Sequence, residues 1–371
     1  MSVAPAHGAA RARTIPPPVR RLPLLAGAAV ALVFGLWTGL QRLGVDVPEL
    51  RWTLAALHGP LLVLGFLGTQ IGLERAVALG RSWPYLAPAA TAAGALWLVL
   101  GLPADAGRAL LTAGGVALVA ASVAVYRRQP GLPPAIMGLG AVAWSVGGVA
   151  WLAGAAVVAV VPWLAAFLVL TIVGERLELS RVRRPSRRAV AVLLAAIAAF
   201  LAGVALADAA PAVGVRLAGA GLLAQAAWLA RCDVALRTIR RPGAPRYMAA
   251  AMLAGTAWLA VAGVAWLVEG DLAGAGLAYD AMVHALFLGF VFSMVFAHAP
   301  VIVPAVLGVA LPFTRAMYVP LALLQAGLVV RVAGDLAGSA EAARWGGVID
   351  EAAIVLFVAV AVVGARRARR R

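Results

Sequence analysis

Cysteine and histidine are scarce in this chain. Cys232 is the single cysteine in 371 residues, which excludes an internal disulfide and any cysteine-rich metal site. Its setting, RCDVALRTIRR, reads as a cytoplasmic loop, where a free thiol is ordinary. There are four histidines, His7, His58, His284 and His298, too few for a histidine-rich cluster. Charge is sparse as well: 12% of residues are charged, and 15 Asp and Glu stand against 31 Lys and Arg. The chain has no phosphate-cradling glycine loop, no nucleophile elbow and no HExxH zinc site.

What the chain has in quantity is apolar surface. Hydrophobic residues are 64% of the sequence and the mean hydropathy is +0.96. A water-soluble domain of this length has no use for so much, because its exterior must be wet. Apolar runs of about 20 residues recur throughout, so the expected fold is an all-α polytopic membrane protein in a lipid bilayer. The formal charge of +16 does not point to nucleic acid. The arginines cluster between the apolar runs, which is the positive-inside pattern.

Residues 1–21 (ending RARTIPPPVRR) read as a disordered basic tail. The apolar run that follows reaches about residue 43. That is too long for a signal-peptide core, so it is taken as a retained first span. Twelve spans are expected, near 22–43, 52–73, 84–103, 107–126, 133–153, 156–175, 188–207, 212–231, 247–268, 279–299, 315–336 and 347–366. They form one transmembrane domain over 22–366, closed by a basic tail at 367–371. Alternate loops (74–81, 127–128, 176–188 and 231–246) are basic. The opposite loops carry Asp46, Glu49, Asp105, Asp208, Glu269, Asp271 and Glu341. That asymmetry places both termini in the cytoplasm. Abundant Gly and Ala suit close helix packing in lipid, and no internal repeat is evident.

The stretch 280–308, DAMVHALFLGFVFSMVFAHAPVIVPAVLG, organises the chemistry. His284 and His298 sit fourteen residues apart on it. In a regular α-helix that separation is about 21 Å, with the two within about 40° of a common face. His58 lies in the second span at about the depth of His284. Two imidazoles at matched depth on different helices are what axial ligation of a haem b requires. Helix–helix hydrogen bonding is the plainer role for either. Gly65, Gly68 and Gly72 form a small-residue stripe beneath His58, suited to a flat macrocycle or to ordinary helix packing. Arg331 is inside the eleventh span, where a buried arginine needs an anion. A haem propionate would serve, or Asp335 one turn on.

His298 is a possible second metal ligand, although an interfacial or helix-ending role suits the Ala-Pro that follows it. Glu74, Arg75, Glu175, Arg176 and Glu178 close spans and read as interfacial salt bridges, or less simply as a proton path. Asp350 and Glu351 open the twelfth span as partners for Arg331 or Arg344. Trp52, Trp83, Trp163 and Trp345 read as interfacial anchors.

The segment HALFLGFVFSM, with His284, Ala285, Gly289 and Met294, resembles the signature of the NnrS family. These are bacterial membrane proteins of about twelve spans that contain haem and copper and are linked to nitric oxide and nitrosative stress. His58-Gly59 is similar to the matching site there and in the catalytic subunit of haem–copper oxidases. In that fold, histidines of the second and tenth spans hold a low-spin haem near the outer face, and arginines of the eleventh meet its propionates. The resemblance therefore implies His58 and His284 as axial ligands and Arg331 as a propionate partner, in a bacterial cytoplasmic (inner) membrane. Motif-level likeness covers about 30 residues. Val295-Phe296-Ala297-His298 stands where NnrS sequences continue with an arginine and a Gly-His ending. The oxidase's copper-binding histidines of the sixth and seventh spans are absent, so oxygen reduction is not expected. Copper would need His298 and methionines.

The expected function is thus an NnrS-like haem b protein acting in the response to nitric oxide or in membrane electron transfer, with nitric oxide or a respiratory electron donor as partner. One rival is a transporter or channel in which His58, His284 and Arg331 line a proton or anion path. A second rival is an accessory subunit of a respiratory complex, with structural histidines.

Overall fold

The computed structural model describes residues 21–48, 52–183, 185–274 and 276–369. His7, Glu49, the basic N-terminal tail up to residue 20 and the last two residues lie outside these residues, as does the side chain of Trp52.

Eleven helices among the described residues are long and apolar enough to cross a membrane, and no strand occurs among them. The protein is therefore all-α and multi-pass. In chain order the helices are α1 (Leu22–Arg42), α2 (His58–Leu79), α3 (Leu86–Val99), α4 (Ala104–Arg128), α5 (Leu132–Leu152) and α6 (Val157–Arg183). They continue as α7 (Arg187–Leu206), α8 (Pro211–Cys232), α9 (Ala244–Glu269), α10 (Leu277–Leu307), α11 (Arg315–Leu336) and α12 (Ala340–Ala368).

The helix outside the eleven is α3. The apolar run 84–103 forms only a 14-residue α-helix. Trp83–Tyr85 is a 3₁₀ turn before it, and Gly101-Leu102-Pro103 follows it. Proline lacks the amide that a continuing helix needs, which limits both ends.

The second span also differs from the expected 52–73. Trp52–Ala55 is a separate helical turn, and α2 begins at His58. Pro60 explains the break: it cannot donate to the carbonyl of residue 56, and its ring crowds that carbonyl. His58 is thus the first residue of its helix and not the seventh. Glycine ends both helices that carry the paired histidines, Gly80 at φ +61° and Gly308 at φ +65°. Each takes the left-handed conformation that lets the last carbonyls of a helix be capped.

Two irregularities face each other inside the bundle. Leu61–Gly68 of α2 and Ala285–Phe292 of α10 are π-helical. Such stretches widen a helix locally and recur at functional sites. Phe66 and Phe292, one from each, stack with ring centres 6.4 Å apart.

Elsewhere small residues bring helices together. A Cβ on Gly221 of α8 would fall on the Phe200 backbone of α7, and one on Gly263 of α9 would fall on the Leu223 backbone of α8. The glycine stripe of α2 has the same purpose. A Cβ on Gly65 would meet Ala31 and Ala95, one on Gly68 the Trp144 ring, and one on Gly72 Pro88. The stripe is filled by α1, α3 and α5, so it is a packing surface and not a bed for a flat ligand.

Arg21, assigned from sequence to the basic tail, belongs to the bundle. It is buried and donates to the Val306 carbonyl at 2.6 Å, one of the unsatisfied acceptors at the end of α10.

Candidate functional site

The residues singled out in the sequence fall into two clusters, one at each end of α10. At the first, His58 and His284 meet across α2 and α10 with ring centres 6.3 Å apart and ring planes at 42°. Each ring is held at Nδ1. His58 Nδ1 lies 2.7 Å from the Gly35 carbonyl of α1. His284 Nδ1 lies 2.8 Å from the Asp280 carbonyl one turn back and 3.1 Å from Asp280 Oδ1. A carbonyl can only accept, so both rings carry their proton on Nδ1. In the neutral rings the Nε2 lone pairs are then available, and neither Nε2 has a hydrogen-bond partner among the described residues. Fixing the tautomer through the other ring nitrogen is the usual support of a metal-bound histidine.

Arg331 of α11 completes this end. It is buried and pairs with Asp280 through two bonds, Nε to Oδ2 at 2.7 Å and Nη2 to Oδ1 at 2.9 Å. The anion is thus Asp280, on another helix, and not Asp335 of its own helix. Asp280 consequently holds both the arginine and the imidazole of His284. Asp335, Asp350 and Glu351 surround the same guanidinium.

Asp350 is not at a helix start. The last helix begins at Ala340, ten residues earlier, and Asp350 is fully buried with neither carboxylate oxygen hydrogen-bonded among the described residues. Glycines make the room. A Cβ on Gly327 would meet Asp350, one on Gly347 would meet Arg331, and one on Gly39 would meet His58 and Glu351. A cavity of about 180 Å³ opens here, with Arg42, Asp280, Arg331 and Glu351 on its polar side and Leu62, Val161 and Phe287 among its apolar walls.

The second cluster surrounds His298. Arg176 of α6, fully buried, makes a two-bond pair with Asp233, at 2.7 and 2.6 Å. Its Nη1 also lies 3.4 Å from His298 Nε2. The other nitrogen, Nδ1, lies 2.7 Å from the Met294 carbonyl. Both nitrogens of His298 are therefore engaged, one of them by a cation. The helix does not end there. It runs nine residues further through Pro300 and Pro304 to Leu307. Arg75 and Glu175 pair at 2.6 Å beside it, both partly buried, so one of the expected salt bridges forms, while Glu74 and Glu178 enter none among the described residues. Among the described residues no group of three or more His, Cys, Asp or Glu converges on a point.

Asp280 and Asp233 are the site residues that sequence reasoning missed. Asp280 carried a usable signal: it precedes His284 by four residues, one helical turn on the same face. Asp233 carried none, because 57 residues separate it from Arg176.

Residues 21–366 match a protein family described as a domain of unknown function, DUF8744. No curated protein matches the sequence.

Proposed function

We propose that this chain, which belongs to the DUF8744 family, is an NnrS-like membrane protein that holds haem b between His58 and His284. The observation that carries this reading is the 6.3 Å between the two imidazole centres. A metal–imidazole bond of about 2.0–2.1 Å on each side, plus about 1.1 Å from nitrogen to ring centre, gives about 6.3 Å for two rings sharing one metal. Rotating either ring about its metal–nitrogen axis leaves that separation unchanged, so the 42° between the planes is compatible. The free Nε2 atoms and the Nδ1 bonds to Gly35 and Asp280 supply the ligand chemistry. On the polar side of the cavity Arg42 and Arg331 stand beside Asp280 and Glu351, and Asp280 already holds Arg331 by two bonds.

Haem held by His58 and His284 would supply one-electron chemistry, and with both imidazoles engaged on it electron transfer would be favoured over gas binding. The chain's own residues orient the imidazoles and fix their tautomers. We place the protein in a bacterial inner membrane with both termini cytoplasmic, from the arginine-rich alternate loops. In that setting it serves membrane electron transfer in the response to nitric oxide. Copper is not part of the proposal, since both His298 nitrogens are engaged.

The test is a reduced-minus-oxidised absorption spectrum of the purified protein beside His58→Ala and His284→Ala. A b-type α-band lost in either variant supports the reading. A colourless wild type made with ample haem would sink it. A second reading, a transporter or channel, draws on Asp350, a buried carboxyl without a hydrogen bond beside Arg331. Flux abolished by Arg331→Ala without loss of pigment would favour it.

A further inference from the structure

The larger cavity of the protein, about 500 Å³, lies between α1, α2, α6, α10 and α12. Its size is within the range of small-molecule sites. Its walls are almost wholly apolar, with Leu25, Leu32, Ile172, Val303 and the stacked pair Phe296–Phe357 among them. Leu67, Phe292 and Ile354 line this cavity and also the one beside His58 and His284. One layer of side chains therefore divides the two.

Polar groups gather at one end of the larger cavity, and most are committed. Glu175 is paired with Arg75, and His298 is engaged at both nitrogens. Arg366, also lining that end, is exposed at the surface. Gln70 and Glu74 remain. They are four residues apart, and so on one face of α2. Both line the cavity and are half-buried, and neither makes a hydrogen bond or ion pair with another described residue. Glu74 has Glu175, Arg75 and His298 as its charged neighbours. A half-buried amide and carboxylate without a protein partner at the end of an apolar chamber are the few convergent polar groups that orient a ligand in such a site.

We infer that this cavity binds an isoprenoid lipid of the quinone class, with the ring oxygens meeting Gln70 and Glu74 and the chain along the apolar walls. Gln70 donates to a ring oxygen through its amide, and Glu74 accepts from a hydroxyl of the hydroquinone. An acyl chain alone would have no use for either group. A phosphate headgroup would have Arg366 at that end but would also face the unpaired carboxylate of Glu74. The inference concerns binding, and it rests on the haem reading only for any use of the site.

The experiment titrates the purified full-length protein in detergent with a short-chain ubiquinone analogue, followed by tryptophan quenching, with haem read by absorption in the same sample. Saturable binding is expected in the wild type, weakened at least tenfold by Gln70→Leu together with Glu74→Leu. It is also expected to weaken in Val295→Phe, which fills part of the cavity. Equal binding by all three proteins, or displacement of the quinone mole for mole by an anionic phospholipid, would overturn the inference. An α-band without saturable quinone binding removes this site and leaves the haem reading. Saturable, Glu74-dependent binding in a colourless protein does the reverse.

Discussion

The Asp280–Arg331 pair gives the sharpest test of how the paired-histidine end is built, because its two halves are not equivalent. Removing one partner of a buried ion pair costs about 3–5 kcal/mol, chiefly from the charge left behind. Asp280→Ala leaves the Arg331 guanidinium with Asp335, Asp350 and Glu351 still around it. Its loss belongs at the low end, about 3 kcal/mol, also because the Asp280 side chain is 30% exposed. Arg331→Met removes the one cation that all four carboxyl groups share, so its cost belongs at the high end, about 5 kcal/mol. At about 1–2 °C per kcal/mol for a chain of this length, thermal midpoints should fall by about 3–6 °C and 5–10 °C. The double variant should lose less than the sum, because the two side chains interact directly. The assay is thermal unfolding in detergent followed by size-exclusion chromatography. An Arg331→Met variant no less stable than Asp280→Ala would refute the reasoning, since the surplus of carboxyl groups would then carry no penalty.

Other outcomes follow from the same geometry. Asp233→Ala should cost about 3–5 kcal/mol by stranding the fully buried Arg176, and the double variant with Arg176→Met should recover part of that in the same melting assay. His298→Ala should lower stability by about 1–2 kcal/mol, as for two modest hydrogen bonds, and leave any haem α-band in place. An α-band lost with His298 would contradict the assignment of the ligands to the other end of the helix. Gly68→Ala would put a Cβ 2.6 Å from the Trp144 ring. Overpacking of this kind costs about 1–3 kcal/mol, and the companion change Trp144→Phe should relieve it if the stripe is a packing surface.

Much of the architecture was legible because lipid imposes its own grammar. Run length gave the helices, and His58 and His284 could be placed near the same level from hydropathy alone. That pairing came out close in space although the start of α2 was misplaced by six residues, since Pro60 delays the helix while the chain before it still turns. Arg331 was recognisable as a residue needing an anion, but the choice between Asp335 and Asp280 depended on which helix lies opposite, which no local pattern encodes. Arg176–Asp233 is the same case at longer range. The π-helical stretches had no sequence signal either. Their residues, LLVLGFLG and ALFLGFVF, are as apolar as any regular span.

Those stretches have a consequence for phase. A π turn takes about one residue more than an α turn, so everything beyond it is rotated by about 100° relative to an uninterrupted helix. Along α10 this turns His298 off the azimuth of His284 and towards Arg176. Along α2 it sets where Gln70 and Glu74 point relative to His58. Each helix is therefore two screws joined with an offset, and its ends can hold unrelated surroundings although one rod connects them. Deleting a single residue within Leu61–Gly68 would remove the offset. The imidazole would stay where Pro60 and Gly35 fix it, while the lower half swung as a unit to present a different set of side chains to the bundle.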